Sequence, residues 1–323
     1  MKDEELTFQE FFADFPKKFP YIDEPEEPTM DKKLIINVAT TGAFLSKEAN
    51  PNQAFTPQEI ANEVIDSCKA GAAMWHVHCR DEHGRATSEP EIIKKTCDMV
   101  FEQAPDVITS VSVWSALGKH GADLISPLID ALLVYGKKYT QTAVIPASSL
   151  VVGPLVNRID RETLTSIAEY LNAKGVKPEF QGFTFEAIEN IRKFLVEPGL
   201  IQPPYFINAI AGSHAGVFYE TPTTPYLMAI NYIGSMLDQM PPNTIKGATV
   251  GGHNWLPMVI VAIILGVDCV RIGMEDTIWM YPHKPDKIKK CADVVRKVAT
   301  IARELGRDVA TPDEAREILG MKK

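Results

Sequence analysis

Strand-like and helix-like runs alternate along most of this 323-residue sequence, and this alternation limits the fold more than any other feature. The first strand-like run, 34–39, is apolar and leads into a turn at Thr40-Thr41-Gly42. Thr56-Pro57-Gln58-Glu59 then has the pattern of a capped helix start with proline at the first helical position. The predicted strands are 34–39, 73–79, 107–113, 139–145, 178–183, 205–211, 245–250 and 268–272. The helices predicted to follow them are 56–70, 90–103, 122–134, 161–173, 185–196, 224–237, 255–265 and 286–305.

Eight strand–helix units in series predict an α/β fold, a closed parallel (β/α)₈ TIM barrel. Near-continuous apolar strands are typical of parallel sheets that helices cover. A doubly wound open sheet is the alternative, but the sequence has no GxGxxG after the first strand and no GxxxxGK[ST] anywhere. Thr311-Pro312-Asp313-Glu314 predicts a short C-terminal helix that ends at Gly320.

The first 31 residues differ from the rest because they are rich in Glu, Asp, Phe and Pro and show no sustained period. We expect an N-terminal extension, 1–31, and one barrel domain, 32–323. Exposed phenylalanines in such number are a liability, so the extension is predicted to pack on the barrel or on a neighbouring subunit, with disorder as the alternative.

Charge and composition exclude several classes of partner. The net charge is −9 and no basic run exceeds two lysines, which argues against nucleic acid or an anionic membrane surface. The longest apolar run, 258–267, is too short to cross a bilayer. Five cysteines without a CxxC pattern suit a reducing compartment, and the acidic N-terminus lacks a signal-peptide pattern, so we expect a cytoplasmic protein.

The second predicted strand ends in Trp75-His76-Val77-His78-Cys79-Arg80. Strand side chains alternate between faces, so His76, His78 and Arg80 share one face, with the two histidines about 7 Å apart. Their rings can therefore converge on one ion. Two interior histidines held by hydrogen bonds are the alternative, but the strand-end position and the polar turn that follows favour a metal.

The loop after the eighth strand offers a partner for these histidines in Val270-Arg271-Ile272-Gly273-Met274-Glu275-Asp276. Because the eighth and second strands both neighbour the first in a closed barrel, Glu275 can complete a set of two histidines and one carboxylate, as in catalytic Zn²⁺ sites. Asp276 is the candidate base and Arg271 its charge partner, with a structural ion pair as the alternative. Such a site suits carbon–carbon bond chemistry next to a ketone or metal-assisted hydrolysis, and the spacing leaves both open.

Several motifs, in order from about residue 34 to the end, resemble the β-keto acid cleavage enzyme family. HxHxRD at 76–81 and RxGxED at 271–276 are specific in combination. The remaining matching stretches are Thr41-Gly42-Ala43, Thr56-Pro57-Gln58-Glu59-Ile60-Ala61, Ala70-Gly71-Ala72-Ala73, Lys177-Pro178-Glu179-Phe180 and 309–320.

This resemblance implies a zinc-dependent barrel that condenses a β-keto acid with acetyl-CoA as co-substrate and releases acetoacetate and a new acyl-CoA. By position, the ligands of one Zn²⁺ per subunit match His76, His78 and Glu275. Arg271 and Asp276 match the pair that deprotonates the keto acid.

Strand order, rather than a close motif, gives three further candidates from the same resemblance. Ser112 and Thr142 are the candidates for the substrate-holding hydroxyls, and Glu179 for the carboxylate of the fifth strand. The family and the aromatic extension both suggest a homo-oligomer, with a tetramer as one candidate.

The sequence departs from the family pattern in the first loop, where family members that act on an amino keto acid carry Gly-Ala-Glu and this chain has Gly42-Ala43-Phe44. A phenyl ring pairs only weakly with an ammonium, so we expect a less cationic keto acid. The segments 111–115 and 251–254 also differ from the family's usual versions. Two other functions stay open: a metal-dependent hydrolase that acts without CoA, and a barrel that binds a metabolite without catalysis.

Overall fold

The structure is a computed structural model that describes residues 7–13, 31–112, 119–152, 155–212 and 226–321. Eight parallel strands close into a barrel surrounded by helices, which confirms the predicted fold. We number these barrel strands first to eighth in chain order. They are Ile35–Val38, Met74–Val77, Ile108–Ser112, Thr142–Pro146, Lys177–Gly182, Tyr205–Gly212, Thr244–Gly251 and Cys269–Ile272. The first strand pairs with both the second and the eighth, and this closes the barrel.

The helices that follow the barrel strands keep the predicted order, and Phe8–Ala13 is a further helix that the sequence analysis did not predict. The α-helices are Phe8–Ala13, Pro57–Ala70, Pro90–Phe101, Ser126–Tyr135, Arg161–Lys174, Phe185–Ile191, Tyr226–Gln239, Trp255–Ile264, Cys291–Glu304 and Pro312–Ile318. The predicted helix 286–305 is wrong at its start, because backbone hydrogen bonds tie Asp286 to Met280 and Ile288 to Ile278. That segment therefore forms an irregular strand-like contact before the helix begins.

Local capping fixes two of the helix starts as the sequence predicts. The Glu59 N–H donates to the Thr56 hydroxyl at 3.2 Å, and the Thr56 N–H donates to the Glu59 carboxylate at 3.0 Å. Thr311 and Glu314 repeat this capping box at the C-terminal helix. Each box satisfies backbone donors that the first turn of a helix leaves without partners.

The apolar core lies between the barrel strands and the helices, as alternation along the strands requires. Trp75, Val111 and Ile272 are buried members of its main cluster. The inward positions of several strands are polar and equally buried, among them Ser110, Glu179 and Arg271. Burial of charge on this scale requires paired or hydrogen-bonded partners, and it directs attention to the barrel interior.

Two short antiparallel strand pairs interrupt the predicted pattern. The second barrel strand ends at Val77, and Cys79–Arg80 instead pairs antiparallel with Ala86–Thr87. Leu150–Val152 pairs antiparallel with Leu155–Asn157 in the same way. The prediction of one continuous strand over 73–79 is therefore wrong at its end, since the chain leaves the barrel after Val77.

The predicted boundary between the extension and the barrel domain stays a prediction, because only residues 7–13 and 31 of the extension are described. The Phe8 side chain is 79% exposed in the single chain. The other phenylalanine side chains of the extension lie outside the described part. In the described segments, no helix is long and apolar enough to span a membrane.

Candidate metal centre and active site

Three predicted ligand side chains meet at the carboxyl end of the barrel. His76 lies on the second strand, His78 just beyond it, and Glu275 on the loop after the eighth strand. The Nε2 atoms of both histidines lie 3.5 Å from the Glu275 carboxylate oxygens, and the two ring centroids are 5.0 Å apart. One ligand atom from each residue lies within 4.8 Å of the other two. This spacing lets all three bind one ion.

Two glycines allow the loop after the eighth strand to lie this close to the first strand. A Cβ atom on Gly42 would lie 2.4 Å from Glu275 Cγ, and one on Gly273 would lie 2.2 Å from the Ala39 carbonyl oxygen. Gly273 also has a φ of 145°, which side chains rarely adopt. The Glu275 N–H donates to the Ala39 carbonyl at 3.1 Å. The carboxylate is thereby held over the end of the first strand, next to the second.

The environment favours the protonation states that metal binding needs. Burial lowers the pKa of His78 to about 4, against the opposing effect of the Glu275 charge. Burial raises the pKa of Glu275, but the positive charge of Arg271 is the largest opposing effect, and the pKa lies well below its usual range. A neutral imidazole and an ionised carboxylate are the forms that bind a divalent ion.

The residues present fit a zinc ion. Two imidazole nitrogens and one carboxylate form a known catalytic zinc donor set that leaves a position open. The Nε2 atoms of both histidines face the same Glu275 carboxylate, so the three donors surround one position.

A buried ion pair lies directly beside these ligands. Arg271 donates to both carboxylate oxygens of Asp276, from Nη2 at 2.7 Å and from Nε at 3.2 Å. The same Nη2 lies 3.3 Å from Glu275 Oε1. Burial lowers the pKa of Arg271, but the negative charges of Asp276 and Glu275 raise it by more than burial lowers it, so the net shift is upward. Arg271 is therefore a buried cation that contacts two adjacent carboxylates.

Glu179 is the centre of a hydrogen-bond network deeper in the barrel. Ser110 and Asn208 donate to its two oxygens at 2.6 Å and 2.7 Å, and Thr142 donates at 3.3 Å. All four side chains are buried. Thr142 therefore belongs to the hydrogen-bond network around Glu179. Sequence reasoning missed Ser110, although its alternation with Ser112 on the third strand places both on the inward face.

The narrow cavity above the ligands has about 30 Å³ of free space, the room that one water molecule or one ion needs. Ser112, Phe44 and Gln181 line it together with His76, His78 and Glu275. Ser112 is thus placed at the cavity, and its role as a substrate-holding hydroxyl stays a prediction. Of the segments that depart from the family pattern, 113–115 lies outside the described residues.

Arg80 does not join the histidines. Its guanidinium donates to the Thr41 hydroxyl at 2.9 Å and to the carbonyls of Leu45 and Gly84, both at 2.7 Å. It also stacks over the Phe55 ring, 4.4 Å from the centroid. The expectation that Arg80 faces the site with His76 and His78 is wrong, because the chain turns into the hairpin after Val77.

Fold and site together define a class of protein: a parallel (β/α)₈ barrel with a two-histidine, one-carboxylate group and a buried ion pair at its carboxyl end. A family model described as beta-keto acid cleavage enzyme matches residues 33–321, and the chain belongs to this family.

Curated relatives agree with this family, and a solved structure has the same fold. A 3-keto-5-aminohexanoate cleavage enzyme of Acetoanaerobium sticklandii is 32% identical over 90% of this chain and 100% of its own length. A 3,5-dioxohexanoate:acetyl-CoA acetone transferase of Paraburkholderia graminis is 27% identical over 90% of this chain and 96% of its own. The structure of ObcA in a ternary complex with a C4-CoA adduct and oxalate has the same fold, with a TM-score of 0.67 at 20% identity, over 84% of this chain and 68% of that one.

Proposed function

We propose that this protein is a zinc-dependent enzyme that condenses a β-keto acid with acetyl-CoA and releases acetoacetate and a new acyl-CoA. The observation that carries the proposal is the position of the Arg271–Asp276 pair directly beside the three candidate ligands, in a member of this family. The name of the Paraburkholderia graminis relative, which includes acetyl-CoA, supports acetyl-CoA as the second substrate.

The metal is held by His76, His78 and Glu275, with one Zn²⁺ per subunit. When bound, the ion supplies stabilisation of the negative charge that develops on the ketone oxygen of the substrate. The three ligand side chains fix one edge of the cavity, and the substrate enters from the open barrel mouth.

Asp276 is the base that removes the proton between the ketone and the carboxylate of the keto acid. Its two hydrogen bonds from Arg271 fix its orientation. A positioned base next to a site that stabilises the resulting charge is the arrangement that general base catalysis requires. Arg271 acts by holding Asp276 and by balancing its charge.

Substrate binding involves Ser112 directly, while Thr142 and Glu179 act from below. Ser112 lines the cavity next to the ligands. Thr142 and Asn208 fix both oxygens of Glu179, so this carboxylate is held rigidly under the site. A fixed negative charge beneath the cavity balances Arg271 and helps to keep its guanidinium in place.

Phe44 shapes the substrate preference. Phe44 lines the cavity and is 46% exposed. A phenyl ring offers an apolar contact where a carboxylate would attract an amine, so the favoured keto acid carries no ammonium group at that end. The substrate class is thus a β-keto acid whose end next to Phe44 is neutral or anionic.

One assay tests the reaction. Purified protein with Zn²⁺ is given a panel of β-keto acids, with acetyl-CoA present or omitted. Acetoacetate that forms only with acetyl-CoA supports the proposal. Product without CoA would instead identify the metal-dependent hydrolase that the same ligand set allows, and no turnover with any substrate would point to a non-catalytic barrel.

The protein is further proposed to act in the cytoplasm as a homo-oligomer, with residues 1–31 as an extension outside the barrel domain. The five cysteines are all free, which supports a reducing compartment. Light scattering coupled to size-exclusion chromatography, on the full chain and on a chain starting at residue 32, measures the subunit number. It also tests whether the extension contributes to assembly.

A further inference from the structure

A second cavity opens at the amino-terminal end of the barrel, opposite the candidate active site. Its volume is about 690 Å³, within the range of small-molecule binding pockets. Lys177 and Tyr205, the first residues of the fifth and sixth strands, line one side, and Arg316 of the C-terminal helix lines another. Nothing in the reaction proposed above uses this cavity.

The charged residues in the lining are all basic. Lys137, Lys138, Lys177 and Arg316 line the cavity, and no aspartate or glutamate does. The whole chain carries a net charge of −9, so four cations without an acid are a local reversal of the overall balance. A concave surface with charges of one sign concentrates its field and attracts the opposite sign.

Lys177 is the central cation because it lacks a counter-ion. Its ammonium donates to the Pro204 carbonyl, and no carboxylate in the described part of the chain forms an ion pair with it. Burial alone lowers its pKa to about 8. Glu179, two residues further along the strand, faces the barrel interior, and its carboxylate accepts hydrogen bonds from Ser110 and Asn208 instead. A half-buried ammonium without a counter-ion favours binding of an anion.

The other cations are compensated to different degrees. Arg316 lies 3.4 Å from the Asp313 carboxylate and donates to the Asp106 carbonyl at 2.7 Å. The Lys138 ammonium lies 4.7 Å from the centre of the Phe101 ring. Lys137 is exposed and has no ion-pair partner among the residues that the structure describes. Lys177 and Lys137 are therefore the two lining cations to which the described residues offer neither a carboxylate nor an aromatic ring.

Apolar side chains complete the pocket. Pro178, Pro204, Tyr205 and Met321 line the same cavity and keep accessible surface, with Phe180 and Phe206 buried behind them. We propose that this cavity binds an organic anion, with its carboxylate or phosphate group beside Lys177 and an apolar body against the neighbouring aliphatic and aromatic side chains.

The proposed anion site is separate from the candidate active site although one strand reaches both. Lys177 begins the fifth strand, and Gln181, four residues on, lines the cavity at the barrel mouth. Four residues of strand span about 13 Å. Occupancy of the amino-terminal cavity can therefore be measured without metal or keto acid chemistry.

The test uses 8-anilinonaphthalene-1-sulfonate, a fluorescent anion with an apolar body, titrated into the full chain. Lys177→Met removes the charge and keeps the length of the side chain, so we expect its affinity for the dye to fall about tenfold or more. Lys137→Met should weaken binding by a smaller factor. Lys95→Met, an exposed lysine outside the cavity lining, is the matched control and should leave the affinity unchanged.

An uncharged analogue of the dye, N-phenyl-1-naphthylamine, separates an anion site from an apolar patch. Its affinity should be the same for the wild type and Lys177→Met. Equal dye affinity in the two proteins, or an equal loss for charged and uncharged dyes, would overturn the proposal. Circular dichroism verifies that the variants are folded, and if Lys177→Met is not, Lys137→Met decides: an unchanged affinity for the anionic dye then refutes the site.

Competition identifies the ligand head group. Hexanoate and hexyl phosphate carry the same apolar chain with a carboxylate or a phosphate, and hexan-1-ol carries neither charge. Displacement of the dye by one or both anions at concentrations where the alcohol has no effect supports the site, and the stronger competitor gives the head group. Displacement by the alcohol at the same concentration would show that charge plays no part and would contradict the proposal.

Discussion

Replacement of Asp276 by asparagine separates the proposed base from the metal ligands next to it. Asp276 accepts two hydrogen bonds from Arg271 and has no exposed surface on its side chain. Asparagine keeps the shape and one acceptor oxygen but loses the charge. Arg271 is then left buried with less compensation, and the site loses its proton acceptor.

The structure sets the size of both effects. Removal of one partner from a buried ion pair costs roughly 3–5 kcal/mol when the other charge is left uncompensated. Glu275 stays 3.3 Å from Arg271 and supplies part of the missing charge, so we expect a loss near the lower end, about 3 kcal/mol. Loss of a general base lowers turnover by about 10²–10⁴-fold. The metal content should not change, because the three ligand atoms are untouched.

Glu275→Gln is the matched variant, since the two carboxylates are adjacent and both contact Arg271. Elemental analysis, thermal unfolding and turnover are measured for both proteins and for the wild type. We expect Asp276→Asn to keep zinc and lose turnover, and Glu275→Gln to lose zinc and turnover together. Turnover retained by Asp276→Asn would remove it as the base. Full zinc occupancy in Glu275→Gln would remove that residue as a ligand.

The remaining predictions concern one residue each. His78→Ala should lose bound zinc, and elemental analysis that finds full occupancy would reject its ligand role. Phe44→Glu should shift the ratio of kcat/KM towards amine-bearing keto acids, while an unchanged profile would show that the ring does not contact the substrate. Lys177→Met should be more stable than the wild type by on the order of 1 kcal/mol at pH 7, because the partly solvated ammonium is costly to bury. The folded-state pKa of Lys177, about 8, lies below the unfolded value near 10.5, so between these pH values the unfolded chain holds more protons and the stability of the wild type rises with pH. Urea unfolding should therefore show a smaller stability difference between Lys177→Met and the wild type at pH 10 than at pH 7. Thr56→Ala should cost about 1 kcal/mol in the same assay, through loss of the capping box.

The barrel could be predicted from sequence because its strands are apolar runs that a buried parallel sheet requires. The predicted strand 205–211 and the observed Tyr205–Gly212 differ by one residue. Helix starts could also be predicted where the sequence contains a capping box, as at Thr56 and Thr311. These signals are local, so they survive without knowledge of the tertiary structure.

Features that depend on where the chain leaves the barrel could not be predicted from the sequence. The alternation through His76, His78 and Arg80 is the same for a long strand and for a strand followed by a hairpin. Only the hydrogen bonds of Arg80 to Thr41 and Leu45 distinguish the two. The partners of Glu179 were hidden for a related reason, because Ser110 and Asn208 come from strands whose relative stagger is set by closure of the barrel.

The contact between Gly42 and Glu275 divides the first loop into two parts with different freedom to change. Any side chain at Gly42 would displace the carboxylate from the imidazoles, so a library that randomises this position should return glycine alone among zinc-containing variants. Ala43 and Phe44 come next in the chain and line the cavity without this constraint. Redesign of the keto acid preference can therefore begin one residue beyond a position that must stay fixed.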